Sequence, residues 1–178
     1  MKWHPFIHEG TTYDLSHIAP FYWHYTAEAG EKRPERTYHF QVTFSMHCFT
    51  RKALTEESIA DNLWYQGPNE RRVFCFGRHK LSLLLPEIIT SLNERACWHT
   101  RHNNFFTIEL TTQEGDTAEY EIYFNVTKAT RKGWLNLIVE SAYVRTATYQ
   151  TQRPKKRKIR LDVIAYNAQM NKKTKPGK

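Results

Sequence analysis

Apolar and polar residues alternate most cleanly just beyond Arg36. Tyr38, Phe40, Val42 and Phe44 are separated by His39, Gln41 and Thr43, a period of two that predicts a half-buried strand. Leu54–Trp64 reads as a helix, with Thr55 as N-cap, Glu56 and Glu57 in the first turn and Ile59, Leu63 and Trp64 on one face. Gly67-Pro68-Asn69 ends it in a turn, and Arg72–Phe76 is a short strand. Leu81, Leu84, Leu85, Ile88, Ile89 and Leu92 then follow i, i+3, i+4, i+7, i+8, i+11, the strongest helical period in the chain. Pro86 lies inside this run, so either the helix starts there or it kinks there.

The second half reads as strand. Phe105–Leu110 is followed by a Glu114-Gly115-Asp116 turn, and Tyr120, Ile122, Phe124 and Val126 alternate with polar neighbours. Lys132-Gly133 turns the chain into a strand reaching Val144, apolar on both faces near Ile138 and so expected in the middle of the sheet. Ile159–Tyr166 is read as a last strand. Residues 1–35 show weak periodicity and many aromatics, among them Trp3, Phe6, Tyr22 and Trp23, which predicts an irregular arm laid against the body. The expected architecture is α+β: an antiparallel meander packed on one or two helices. It has the irregular arm at 1–35, one domain at 36–168 and a disordered basic tail at 169–178.

Charge changes this picture. The net charge of +8 is not spread evenly. Residues 151–178 carry ten basic groups against one acid, Asp162, whereas residues 1–150 carry sixteen against seventeen. A neutral body with a cationic extension points to a polyanionic partner, since basic groups that displace counterions from phosphates gain affinity. Nucleic acid is the expected partner, RNA favoured over DNA, with Arg153, Lys155, Lys156, Arg157, Lys158 and Arg160 as the gripping residues. A membrane partner is not expected, because the segment lacks an apolar face and the chain lacks a run of roughly 20 apolar residues. His8 and Glu9 follow Met1-Lys2-Trp3-His4-Pro5 where a secretory signal would be apolar, which predicts a cytoplasmic protein.

Several chemistries are excluded by spacing. There is no GxGxxG, GxxxxGK[ST] or GxSxG. Each of the three cysteines lies near a histidine, but without a CxxC, an HExxH or a helical His pair no metal and no cofactor is expected. What remains is a cluster of Arg, His and Lys at strand ends: Arg71, Arg72, Arg78, His79 and Lys80, then His99, Arg101 and His102, then Glu140, Tyr143 and Arg145. Such groups suit metal-free phosphoryl chemistry, in which a base takes the ribose 2′-OH proton and a cation neutralises the phosphorane.

The helix Leu81–Arg95, the strands Phe105–Leu110, Tyr120–Val126 and Trp134–Val144, and the run Glu140-Ser141-Ala142-Tyr143-Val144-Arg145 together resemble the RelE-type ribonuclease toxins, including their BrnT-like relatives. The likeness covers residues 79–168 and has no counterpart for Met1–Gly77. It implies a metal-independent endoribonuclease with Arg78, His79, Tyr143 and Arg145 as catalytic groups and an antitoxin as protein partner. The segment Phe44–Arg51 is similar to proteins of an uncharacterised family carried on prophages and mobile elements. The alternative reading is a non-catalytic adaptor or accessory protein of a phage or mobile element, with Trp3, Phe21, Tyr22 and Trp23 as its interface.

Overall fold

A computed structural model describes residues 2–31, 33–100, 106–111, 119–145 and 157–174. The chain opens with a hairpin of β1 (Phe6–His8) and β2 (Thr11–Tyr13), then β3 (Phe21–Ala27) and β4 (Arg36–Phe44). A small sheet follows from β5 (Thr50–Arg51), β6 (Trp64–Gln66) and β7 (Arg71–Phe74). Helices α1 (Phe76–Ser82) and α2 (Leu85–Thr90) lead into β8 (Cys97–His99), β9 (Phe106–Thr111), β10 (Glu119–Lys128) and β11 (Trp134–Arg145). The chain closes with β12 (Arg157–Ile159) and α3 (Leu161–Gln169).

The main sheet has seven strands in the order β12-β8-β9-β10-β11-β4-β3. The antiparallel meander is present as β8 to β11, and the mixed α+β class is as expected. One pairing is parallel: β4 runs beside β11, with Val42 opposite Leu137. That neighbour is distant in sequence, as a parallel pair requires. β11 is flanked on both sides and is central to the sheet.

The period-two reading holds because one face of the sheet is the core. Tyr38, Phe40, Val42 and Phe44 are buried, as are Tyr120, Ile122, Phe124 and Val126. On β11 the buried set runs Leu135, Leu137, Val139 and then Ala142. The slip comes from a bulge: Tyr123 faces Ser141 and Phe124 faces Val139, leaving Glu140 as the extra residue. Gly133, at φ 82°, makes the turn into β11.

Four expectations are corrected. Leu54–Trp64 is not one helix: only Asp61–Leu63 makes a single 3-10 turn, and Trp64 already opens β6. Glu56 has φ 68°, and the Glu57 carboxylate accepts from the Leu54 N–H at 3.0 Å while pairing with Arg51, so the segment is a pinned loop. The strand expected at Arg72–Phe76 stops at Phe74, and Phe76 already opens α1. Ile159–Tyr166 is not a strand beyond Ile159. Leu161, Ile164 and Ala165 bury one helical face of α3, which packs on β10 and β11. The aromatic arm is partly regular, since β3 is the edge strand beside β4.

Its first residues do lie against the body. Trp3 Nε1 donates to the Phe44 carbonyl at 3.0 Å, and the Phe6 ring stacks on Phe74 at 4.0 Å. The tail is placed as far as Thr174, which is buried, its carbonyl 2.9 Å from His99 Nε2. Among the described residues no helix is long and apolar enough to cross a membrane.

Pro86 stands in the first turn of α2, so the long apolar run is two short helices rather than one. Leu85, Ile88, Ile89 and Leu92 are buried, whereas Leu83 and Leu84 at the break are exposed. The three cysteines are free. Cys48 and Cys97 are fully buried, and burial pushes the Cys97 thiol up to about 12 and raises that of Cys48 as well. In a thiol titration with Ellman's reagent, only the half-buried Cys75 is expected to react in the native protein. The other two should appear when urea is added; two rapidly reacting native thiols would mean that β8 or the Met46–Cys48 turn is misplaced.

Candidate functional site

Charge gathers where the start of α3 meets the segment that leads into β4. Arg160 stands at the N-cap of α3 in extended geometry, and Asp162 lies in the first turn. The Asp162 carboxylate accepts from Arg160 Nε at 3.0 Å and from Arg33 Nη1 at 3.4 Å. It is only 10% exposed, whereas the two arginines are 77% and 67% exposed. One buried anion thus fixes two solvent-facing cations, and each guanidinium keeps donors turned outward.

Local backbone explains the arrangement. Gly30 and Arg33 exchange two backbone hydrogen bonds, at 2.9 and 3.2 Å, and close the turn that presents Arg33. Arg36 opens β4, and its guanidinium sits 4.8 Å from the centre of the Tyr166 ring on α3. The Lys172 ammonium lies 5.5 Å from the same ring. Between these groups is a recess of about 260 Å³, lined by Ala27, Glu28, Arg33, Pro34, Arg36, Tyr38, Asp162 and Tyr166. Burial raises the pKa of the Tyr38 hydroxyl that lines it. Arg33 and Arg36 balance Glu28 and Asp162 in the lining itself, and Arg160 and Lys172 add positive charge nearby, through Asp162 and the Tyr166 ring.

The expected binding residues fall partly here. Arg160 binds Asp162, which lines the recess, and Arg157 and the exposed Lys158 sit on β12 at the sheet edge, antiparallel to β8. Arg153, Lys155 and Lys156 lie outside the described residues, as do Arg101 and His102. Arg33, Arg36 and Tyr166 were not singled out by the sequence. The signal for the two arginines is the run Glu31-Lys32-Arg33-Pro34-Glu35-Arg36, whose mixed charges leave an excess of only one.

The expected catalytic residues are arranged differently. Arg78 and Tyr143 meet, the guanidinium 5.3 Å from the ring centre. Arg78 Nη1 donates to the carbonyls of His47 and Thr50 at 3.0 and 2.8 Å, and desolvation is the main cause that lowers its pKa. His79 turns to Tyr13 and Phe74, with Nε2 2.9 Å from the Asp14 carbonyl. Arg145 ends β11 opposite Glu119, and its side chain lies outside the description. The neighbouring cations are also engaged. Arg71 lies over Trp64 at 4.3 Å, and Arg72 Nε donates to Thr50 Oγ1 at 3.1 Å.

Beside Tyr143, Tyr123 stacks at 5.6 Å and its hydroxyl donates to the buried Glu121 at 2.7 Å. Burial raises the pKa of Tyr123, so it is a neutral donor at physiological pH. Ser82 Oγ donates to the His79 carbonyl at 2.7 Å and therefore accepts from His17 Nε2 at 2.8 Å, which leaves it no proton for a base to take. Among the described residues no group of three His, Cys, Asp or Glu is placed to hold a metal ion.

The family model described as YjaZ family matches residues 5–169. Protein YjaZ of Escherichia coli (strain K12) is 33% identical over 175 residues, covering 96% of this chain and 93% of that protein. No solved structure matches. The chain belongs to the YjaZ family, and the matched span includes both walls of the recess, from Arg33 to Tyr166.

Proposed function

We propose that this YjaZ-family chain binds nucleic acid through its basic residues Arg33, Arg36, Arg157, Lys158, Arg160 and Lys172. The observation that carries the reading is the shared Asp162 carboxylate, which holds Arg33 and Arg160 outward beside an aromatic wall. Exposed guanidiniums fixed in this way meet phosphates with little further ordering. Binding rather than cleavage is the activity proposed, because the Arg78 donor turned toward the protein is engaged by two backbone carbonyls and His79 by a third.

The test is fluorescence anisotropy with a single-stranded RNA of mixed sequence between 50 and 200 mM salt. Six contacts predict a slope of log affinity on log salt of about −4, and replacing Arg36 and Arg160 by glutamine should flatten it by about 1 to 1.5. A single-stranded DNA of the same sequence, run in parallel, is expected to bind more weakly. No measurable binding of either strand at 50 mM salt would remove the reading.

A further inference from the structure

Far from the basic residues, the Ser16–Ile18 turn and helix α1 bring two half-buried histidines together: the rings of His17 and His79 lie 5.7 Å apart, centre to centre. Hydrogen bonds fix which nitrogen of each ring carries the proton. His79 Nε2 lies 2.9 Å from the Asp14 carbonyl, which can only accept, so Nε2 is the protonated atom. Ser82 gives its one proton to the His79 carbonyl, so His17 Nε2 must donate to Ser82 Oγ at 2.8 Å. In each neutral ring the other nitrogen, Nδ1, is then a bare lone pair, and neither Nδ1 has a hydrogen-bond partner among the described residues. We infer that His17 and His79 together bind one divalent transition-metal ion of the zinc class through their Nδ1 atoms.

A metal takes the neutral imidazole, and a ligating ring commonly donates its second N–H to an oxygen that holds its tautomer and orientation. Both rings have that support: a backbone carbonyl for His79, and for His17 the hydroxyl of the fully buried Ser82. With zinc–nitrogen bonds of about 2.0–2.1 Å, two imidazoles on one tetrahedral ion have centres roughly 5 Å apart, so a small turn of the two side chains closes the site. Their planes differ by 84°, which one ion tolerates, because each ring plane need contain only its own metal–nitrogen bond. The Asp14 carboxylate accepts from the Ser16 N–H at 3.0 Å and from Ser16 Oγ, and adds negative charge that acts on His17. The protein offers two donors rather than three, so water fills the remaining positions and the site is weaker than a closed structural one. No spacing rule reveals the pair, because its members come from elements far apart in the chain.

The experiment titrates the full chain, first stripped with EDTA, with zinc by calorimetry and follows the histidine side chains by nitrogen-15 spectroscopy. Binding in the micromolar range is expected, with the Nδ1 signals of His17 and His79 shifting while both Nε2 atoms remain N–H. His17→Gln and His79→Gln should each weaken binding more than about tenfold, and Ser82→Ala about tenfold, the loss typical of a support bond to a ligating ring. Excess zinc should raise the melting temperature of the wild type and of neither histidine variant. Circular dichroism in EDTA checks that each variant folds; where one does not, the wild-type spectra still decide the ligating atoms. No binding at about 100 μM zinc would overturn the inference. So would zinc that shifts neither Nδ1, or affinity lost through His24→Gln alone, which would place the ion at the exposed pair His24 and His39, opposite each other on β3 and β4.

Discussion

Alanine at position 78 is expected to lower folding stability by about 2–4 kcal/mol, read as a shift of the urea midpoint at constant slope. The Arg78 guanidinium reaches from α1 to the carbonyls of His47 and Thr50, which belong to the turn before β5 and to β5 itself. Thr50 is fully buried, so its carbonyl has no water to turn to when the donor is removed. Each buried acceptor left alone costs about 1–3 kcal/mol. The Tyr143 ring loses its cation as well. Lysine at the same position should fall between the two, because an ammonium on a flexible stem reaches one carbonyl more readily than both. If R78A instead melts with the wild type yet alters the processing of RNA, the guanidinium acts on a ligand and the structural role is wrong.

The strands were legible because burial on one face writes a period of two into β4, β10 and β11; Tyr38–Phe44 keeps it, and Tyr120–Val126 keeps it apart from the buried Glu121. Their order was not fully legible. Nothing local to β4 says that its neighbour is β11, because the two lie about a hundred residues apart and only the closed sheet brings Leu137 beside Val42. Two short segments misled for different reasons. At Leu54–Trp64 the acids that mimic a helix start are used otherwise, Glu57 being drawn to Arg51 and the Leu54 N–H. At Ile159–Tyr166 both periods fit, since Ile159, Leu161 and Val163 alternate while Leu161, Ile164 and Ala165 share a helical face. Packing on β10 and β11 settles it for the helix.

The candidate site was half legible. Counting charge by segment located Arg157, Lys158 and Arg160, but treated Asp162 as a lone acid among ten bases. In the fold that acid organises the face, because it is the buried partner of two exposed arginines from distant parts of the chain. Arg33 and Arg36, in the loop before β4 and at its first residue, were hidden because Glu31 and Glu35 offset them in a linear count. The Arg/His cluster at strand ends was legible as residue types, but not as geometry. Arg78 and His79 are adjacent in sequence on a helix, and adjacent helical positions point apart.

Removing residues 157–178 is expected to unfold the chain rather than strip a tail from a stable body. Leu161 and Ile164 are at most 3% exposed, and Ala165 is fully buried against the sheet. Burying each of the two larger side chains contributes about 1.5–3 kcal/mol. The same deletion removes the β12 edge strand and the contact between His99 and Thr174. Against a total stability of about 5–15 kcal/mol for a domain, these losses are of the same order as the whole. Ile164→Ala alone should cost about 2–5 kcal/mol, since its cavity opens under a packed helix and cannot fill with water. Loss of nucleic-acid binding on truncation would therefore carry no information about charge, whereas glutamine at Arg157 and Lys158 changes charge at the surface and leaves the helix in place. Far-ultraviolet circular dichroism with a urea titration decides the matter. A truncated chain with a cooperative transition within about 1 kcal/mol of the full-length protein would show that α3 is not part of the core.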